Sequence, residues 1–314
     1  MPTPAVAVID IGSNTIKVLV ARIASDGSLQ TELFQSLDVR ISTGISRARP
    51  ELSREGMDRG LAAIRQLLAA AEPFQPVRVL LVATSAVRDA ANGAGFRTAV
   101  RAATGHDIRI LTGEEEANYI GAGLTCDPDL RDLQDFYVFD LGGGSLECLA
   151  FRQRRVQQAA SLRLGCVRLT EKLFADASQP LPANAAARIA DECRTAFADA
   201  GFRFDLPAHA VTVGTGGTLT VARAIVALKA GATAGLGSSL LPVSELAAQF
   251  DRLKVMPLSG RQGFPGLPSA RADVYPTALA TYLAVAQLGC FDSYRHSLYN
   301  LRYGLAREML AAGA

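Results

Sequence analysis

Two aspartates stand where an ionised carboxylate is expensive. Asp10 lies near the end of the apolar run AVAVIDIG (5–12) and Asp140 near the end of FYVFDLG (136–142), and both runs read as buried strands. A carboxylate removed from water raises the free energy unless a cation or hydrogen-bond donors meet it. Each is followed by a turn rich in glycine and hydroxyls: Gly12, Ser13, Asn14 and Thr15 after Asp10, and Gly142, Gly143, Gly144 and Ser145 after Asp140. Glycines let backbone N–H groups approach an anion without Cβ interference, and Ser13, Asn14 and Ser145 add side-chain donors. Two such carboxylates, Asp10 and Asp140, together with N–H-lined turns, suit a phosphate chain bound with Mg2+, a hard cation that takes oxygen ligands and keeps water.

One Asp-x-Gly turn is ordinary loop composition. Here the device is duplicated: an offset of 130 lays VIDIGSNTIK (8–17) on VFDLGGGSLE (138–147), with Asp10 on Asp140, Gly12 on Gly142 and Thr15 on Ser145. A third turn, GTGGT (214–218), brings Gly214, Gly216 and Gly217 between an apolar strand and a helix. It offers helix N-terminal amides to phosphate or serves close strand–helix packing. The run GEEE (113–116) sits at a helix start, where acids suit the helix dipole by default; a carboxylate there also fits a general base acting on water.

The elements that must position these groups alternate strand and helix. The hairpin 5–12 and 15–23 is followed by a strand near 33–41, and by a helix that Ser53 opens and that ends near Glu72 and Pro73. Strand 77–83, helix 95–103, strand 107–111 and helix 114–123 complete a first α/β unit. The second begins with the hairpin 136–142 and 145–151 and continues through strand 155–162, helices near 165–174 and 183–199, strand 209–214 and a helix from 217. The expected organisation is an α/β chain of two domains, 1–125 and 126–297, with a C-terminal helix at about 298–314 packing back onto the first.

Composition limits the functions on offer. A net charge of +2 gives no overall electrostatic footprint for nucleic acid or a membrane surface. The apolar runs fall short of the ~20 residues that span a bilayer, and the N-terminus MPTPAVAVID has no basic leader, so a cytoplasmic location is expected. Five scattered cysteines without a Cys-x-x-Cys pair read as free thiols, and three isolated histidines give no zinc spacing. Lys17, Lys172, Lys229 and Lys254 are the sole lysines, so nearly all positive charge is arginine. That suits bidentate phosphate binding, although G+C-rich codon usage produces the same bias.

Seven segments, AVIDIGSNTIKV, ATSAVRDAANG, TGEEEA, FDLGGGSLE, SLRLGCVRLTE, VGTGGT and RADVYP, resemble in order the signature blocks of the exopolyphosphatase and guanosine pentaphosphate phosphatase family, over most of residues 6–304. The resemblance implies an actin-like, ribonuclease-H-type fold in each half, an active site in the cleft between them, and Mg2+-dependent release of terminal phosphate from polyphosphate or guanosine pentaphosphate. By motif position, Glu116 resembles the water-activating base, Arg88 the phosphate-clamping arginine, and Asp140 and Glu147 the metal-associated carboxylates. Residues 13–15 and 142–145 resemble phosphate-contacting loops. The sequence departs from the family pattern at Leu146, where a Ser or Thr is usual, and at Asn300, a small or glycine position. The end of the chain at Ala314 fits a short form that handles polyphosphate distributively, unless a homodimer builds a longer channel between subunits.

The same fold class hosts kinases, and a non-catalytic sensor of guanosine alarmones would use the same cleft. The acidic TGEEEA block and the arginine of ATSAVRDA favour the hydrolase over a kinase, and an intact Glu116 and Asp140 favour it over a sensor.

Overall fold

The computed structural model describes residues 3–232 and 235–312. The chain forms two compact units, Met1–Asp132 with Tyr299–Ala314, and Leu133–Leu298. The division falls at Asp132, beyond the position 125 read from the sequence, because the turn after the helix carrying Glu116 stays with the first unit.

Unit 1 is built on five strands: β1 (Val6–Ile11), β2 (Thr15–Ile23), β3 (Leu29–Asp38), β4 (Arg78–Ala83) and β5 (Ile108–Ile110). Their order is β3-β2-β1-β4-β5, antiparallel across the first three and parallel from β1 to β5. β1 is buried along its whole length, which is why it reads as a continuous apolar run. β3 begins at Leu29, four residues before the strand expected near 33; it is an edge strand with exposed alternate positions, a weaker signal than an apolar run. Helices α1 (Arg54–Ala71), α2 (Ser85–Arg88), α3 (Gly93–Thr104) and α4 (Gly113–Leu124) follow the strands. Ser53 caps α1 by accepting the Gly56 N–H at 3.0 Å, and Ile64 and Leu67 carry the helix onto a core with Ile9, Val18, Phe96 and Val100. Full burial of each such side chain contributes about 1.5–3 kcal/mol.

The C-terminal helix α11 (Leu301–Ala311) belongs to unit 1 and packs on α4, β1 and β2. Gly123 and Gly304 allow the crossing: a Cβ on Gly123 would lie 2.0 Å from the Asn300 carbonyl oxygen, and one on Gly304 would lie 2.1 Å from that of Tyr119.

Unit 2 repeats the plan. Strands β6 (Phe136–Leu141), β7 (Leu146–Arg152), β8 (Arg155–Leu162), β9 (Val211–Thr215), β10 (Leu240–Pro242) and β11 (Ser293–His296) form one sheet in the order β10-β11-β9-β6-β7-β8. From the β8 edge, the sheet has the same antiparallel triple followed by parallel strands as unit 1, with β10 added antiparallel at the far edge. This order in both units is the ribonuclease-H-type arrangement of actin-like proteins. Helices α5 (Cys166–Leu173), α6 (Ala185–Asp199), α7 (Gly217–Lys229), α8 (Val243–Lys254), α9 (Leu258–Gln262) and α10 (Tyr275–Gly289) complete the unit. α10 is buried on nearly every side and packs on α5, α6, α7 and α8, so it carries no polar stripe. Among the described residues no helix is long and apolar enough to cross a membrane.

Candidate active site

The two Asp-bearing hairpins close in the same way. Gly12 N–H donates to Thr15 O at 3.1 Å in unit 1, and Gly142 N–H donates to Ser145 O at 3.0 Å in unit 2. The partners of each turn's carbonyls then decide which way its N–H groups face. The Gly142 carbonyl accepts the Cys166 N–H at 3.0 Å, and the Gly143 carbonyl accepts those of Val167 and Arg168 at 2.9 and 3.1 Å. The Gly144 carbonyl accepts Arg168 Nε at 2.8 Å. A planar trans peptide points N–H opposite to C=O. The N–H groups of Gly143, Gly144 and Ser145 are therefore turned away from α5, as an anion-binding nest requires. Gly165 lets α5 come this close, since a Cβ there would lie 2.3 Å from the Gly143 carbonyl oxygen.

In unit 1 the Ser13 carbonyl accepts Ser42 Oγ at 3.1 Å, and the Asn14 carbonyl accepts the Val39 and Arg40 N–H groups, both at 2.9 Å. The N–H of Asn14 is turned outward by the same argument. The side chains expected to add donors are partly engaged within the unit: Ser13 Oγ lies 3.2 Å from Ser85 Oγ, and Asn14 Oδ1 accepts Arg40 Nε at 3.1 Å. Thr15 is buried.

Asp140 and Glu147 face each other across the β6/β7 ladder. Directly opposed residues share a sheet face with Cβ atoms about 5 Å apart, and two like charges so placed repel. Glu147 is 2% exposed, and its Oε1 accepts Ser161 Oγ at 2.7 Å. Gly216, at φ +93°, adopts a conformation that side-chain-bearing residues rarely take, and a Cβ there would lie 2.5 Å from Asp140 Oδ1. The two carboxylates and the adjoining hydroxyl form an all-oxygen donor set, the ligand chemistry a hard divalent cation takes. Among the described residues no group of three or more His, Cys, Asp or Glu side chains forms a closed cage.

Asp10 was expected to join the metal ligands, and the structure gives its carboxylate another partner. Its Oδ2 accepts Arg302 Nη1 of α11 at 2.8 Å with both side chains buried, and the residue opposite it across the ladder is Lys17. The Arg302 guanidinium also lies 5.3 Å from the centre of the Phe34 ring. Asp10 is thus neutralised inside unit 1.

The three acids at the start of α4 separate by role. Thr112 and Glu115 form a reciprocal capping box, and the Thr112 N–H, followed by Arg109, holds the Glu115 carboxyl below its ordinary range. Glu116, one residue on, is 6% exposed. Its Oε2 accepts Arg88 Nη1 at 2.9 Å, and the same Nη1 donates to the Leu111 carbonyl at 3.0 Å. Among the described residues no hydrogen bond engages Arg88 Nη2, which leaves that edge of the guanidinium able to take a phosphate oxygen.

The glycines of the third turn are required by packing within unit 2. The missing side chain of Gly214 is required by Leu219, whose Cδ1 would lie 2.1 Å from a Cβ there. Gly216 makes room for Asp140, and Gly217 for the Arg271 guanidinium, whose Nη1 would lie 2.0 Å from a Cβ. The roles of Arg168 and Arg302 escaped the sequence reading. Their signal was an arginine within an otherwise apolar helical pattern, in GCVRLTE and NLRYGLA, which marks a buried cation with an assigned partner.

Known proteins share this architecture. An exopolyphosphatase from Cytophaga hutchinsonii superposes with a TM-score of 0.87 at 21% identity, covering 98% of both chains, a likeness of fold. A Ppx/GppA family member from Aquifex aeolicus superposes with a TM-score of 0.79 at 25% identity over 100% of both chains. The sequence model of the Ppx/GppA phosphatase family matches residues 19–312, and the chain therefore belongs to that family.

Proposed function

We propose that the chain is an exopolyphosphatase that hydrolyses the terminal phosphoanhydride of inorganic polyphosphate. Water attacks the terminal phosphorus, a new P–O bond forms as the bridging P–O bond breaks, the bridging oxygen departs on the polyphosphate shortened by one unit, and the hydrolysed phosphoryl group is released as orthophosphate. Glu116 accepts the proton from the attacking water, and its carboxylate is oriented for this by the 2.9 Å bond from Arg88. Arg88 Nη2 and the outward N–H groups of Asn14, Gly143, Gly144 and Ser145 bind phosphoryl oxygens, with the amide of Gly217 at the start of α7 as a further donor. Asp140 and Glu147 would hold Mg2+, which supplies compensation for the charge on the phosphate oxygens.

The observation that carries this reading is the pairing of two opposed carboxylates with a glycine loop whose carbonyls are all consumed elsewhere. Neither feature alone selects a phosphate ligand; together they combine a cation site with an anion nest. The test is phosphate release measured side by side on long polyphosphate, tripolyphosphate, ATP and guanosine pentaphosphate. Polyphosphate is expected to be turned over best, and Glu116→Gln is expected to lower its turnover by about 10²-fold or more with binding retained. Faster release from guanosine pentaphosphate would reassign the substrate, and near-normal turnover by Glu116→Gln would remove Glu116 as the base.

A further inference from the structure

His296 takes no part in the proposed hydrolysis, yet it is buried beside the third glycine turn. It ends β11, which runs parallel to β9 with His296 opposite Gly214. The backbone is fixed on both sides: His296 N–H donates to Ser239 O at 2.7 Å, and Ser297 N–H donates to Gly214 O at 3.0 Å. The ring meets α7. Arg223 Nη1 lies 2.9 Å from Nδ1, and Thr220 Oγ1 lies 3.3 Å from Nε2. Thr220 Oγ1 in turn donates to the Gly216 carbonyl at 3.1 Å, and that backbone carbonyl is itself a partner of the ring.

Donor and acceptor chemistry fixes the tautomer. A guanidinium only donates, so Nδ1 must accept from Arg223, and a neutral ring must then carry its hydrogen on Nε2. Thr220 uses its hydroxyl hydrogen on Gly216, so its lone pairs are the natural acceptor for Nε2–H. Burial, and next the charge of Arg223, push the imidazole pKa down to about 4, so the ring is neutral at physiological pH. Arg223 also donates Nη2 to the Gly237 carbonyl at 2.7 Å, and among the described residues no carboxylate forms an ion pair with it.

The chain of bonds from Arg223 through His296 and Thr220 ends on one carbonyl, that of Gly216, which also accepts the Thr220 N–H in the first turn of α7 at 3.4 Å. Holding this carbonyl inward points the N–H of the same planar peptide, which belongs to Gly217, the other way, at the first residue of α7. We propose that His296 is a positioning residue: in the Nε2–H tautomer set by Arg223, it fixes the peptide between Gly216 and Gly217 so that the Gly217 N–H is presented to substrate phosphate. This rests on the reading of the chain as a phosphoanhydride hydrolase whose third glycine turn contacts the substrate.

Steady-state phosphate release from polyphosphate, the Kd for tripolyphosphate and the 15N spectrum of labelled histidine test it together. His296→Leu is expected to raise KM and Kd about 10-fold, the loss of one well-placed hydrogen bond, with kcat within about two-fold. His296→Gln keeps an N–H donor near the Nε2 position and is expected to recover most of that loss. In the unmutated chain Nε2 is expected to be protonated and Nδ1 bare, a bias that Arg223→Met removes. An unchanged KM and Kd in His296→Leu, a fall in kcat with KM unmoved, or a ring protonated on Nδ1 would overturn the inference. Should His296→Leu not fold, the Gln variant and the tautomer decide. Absence of phosphate release by the unmutated chain from all four substrates would sink the hydrolase reading instead, and the tripolyphosphate Kd comparison would still decide the role of His296.

Discussion

The hairpins β1–β2 and β6–β7 share a backbone and differ in charge. Both place an aspartate near the end of a buried strand and close on an N–H···O bond of almost the same length, 3.1 Å and 3.0 Å. Opposite Asp10 stands Lys17, and Arg302 pairs with its carboxylate; opposite Asp140 stands Glu147. Buried arginines show the reverse contrast. Arg302 in unit 1 is balanced by an acid, whereas Arg223 in unit 2 is set against a neutral imidazole. Asp10 in unit 1 thus faces cations, whereas Asp140 in unit 2 faces a second acid across its ladder. Duplication of a fold therefore does not duplicate its charge pattern: the position opposite the aspartate is Lys17 in one copy and Glu147 in the other.

The contrast can be broken most severely at Arg302. Arg302→Ala leaves the Asp10 carboxylate buried without its cation, and a loss of about 3–5 kcal/mol is expected in denaturant unfolding, with activity falling as the folded fraction falls. Second in size is a pH effect confined to unit 2. The His296 pKa is depressed to about 4 when folded, by burial and then by the charge of Arg223, against 6.5 for a free imidazole. Between these values the unfolded chain binds the extra proton, so this contribution is complete above about pH 6.5 and is lost as pH falls towards 4. Its size is on the order of 3 kcal/mol. Thermal unfolding across that window should show the decline, and His296→Gln should flatten it; an equally steep curve in the variant would assign the decline to other groups.

Asp140→Asn is expected to slow turnover about 10²-fold and to raise the Mg2+ concentration needed for half-maximal rate. The matched change Asp10→Asn should leave the Mg2+ titration of the folded enzyme where it was. Equal shifts in both variants would erase the distinction between the hairpins. The smallest effect is expected at Ser161, whose hydroxyl bonds Glu147 Oε1 at 2.7 Å. Ser161→Ala should raise the Mg2+ requirement about 5-fold, roughly 1 kcal/mol, with little change in the rate at saturation.

The parts of this arrangement legible in the sequence were those encoded locally. An apolar strand ending in Asp, a glycine turn and a returning strand leave a mark within ten residues, and the copy at an offset of 130 repeats that mark. The start of α1 was legible because Ser53 signals a cap, whereas the run of acids at α4 did not choose among its members, and Glu116 was singled out only by the resemblance of TGEEEA to a family block. Long-range charge pairing was not. Arg302 is 292 residues from Asp10, and nothing near either residue names the other. α10 escaped for a different reason: a helix buried all round has no amphipathic stripe to give its period away. β10 and β11 span three and four residues, too few for alternation to register.

Unit 1 is interrupted in sequence by the whole of unit 2, and this sets an order on its birth. On a ribosome, residues 3–132 emerge first with all five strands of their sheet, but α11 emerges only after 133–298 has been made. Until then Asp10 has no Arg302, and the glycine surface of α4 around Gly123 has no helix to cover it. Unit 2, continuous in sequence, faces no such wait. The first half to be translated is thus the last to be finished, and the residue that closes its charge is also the one that marks its completion.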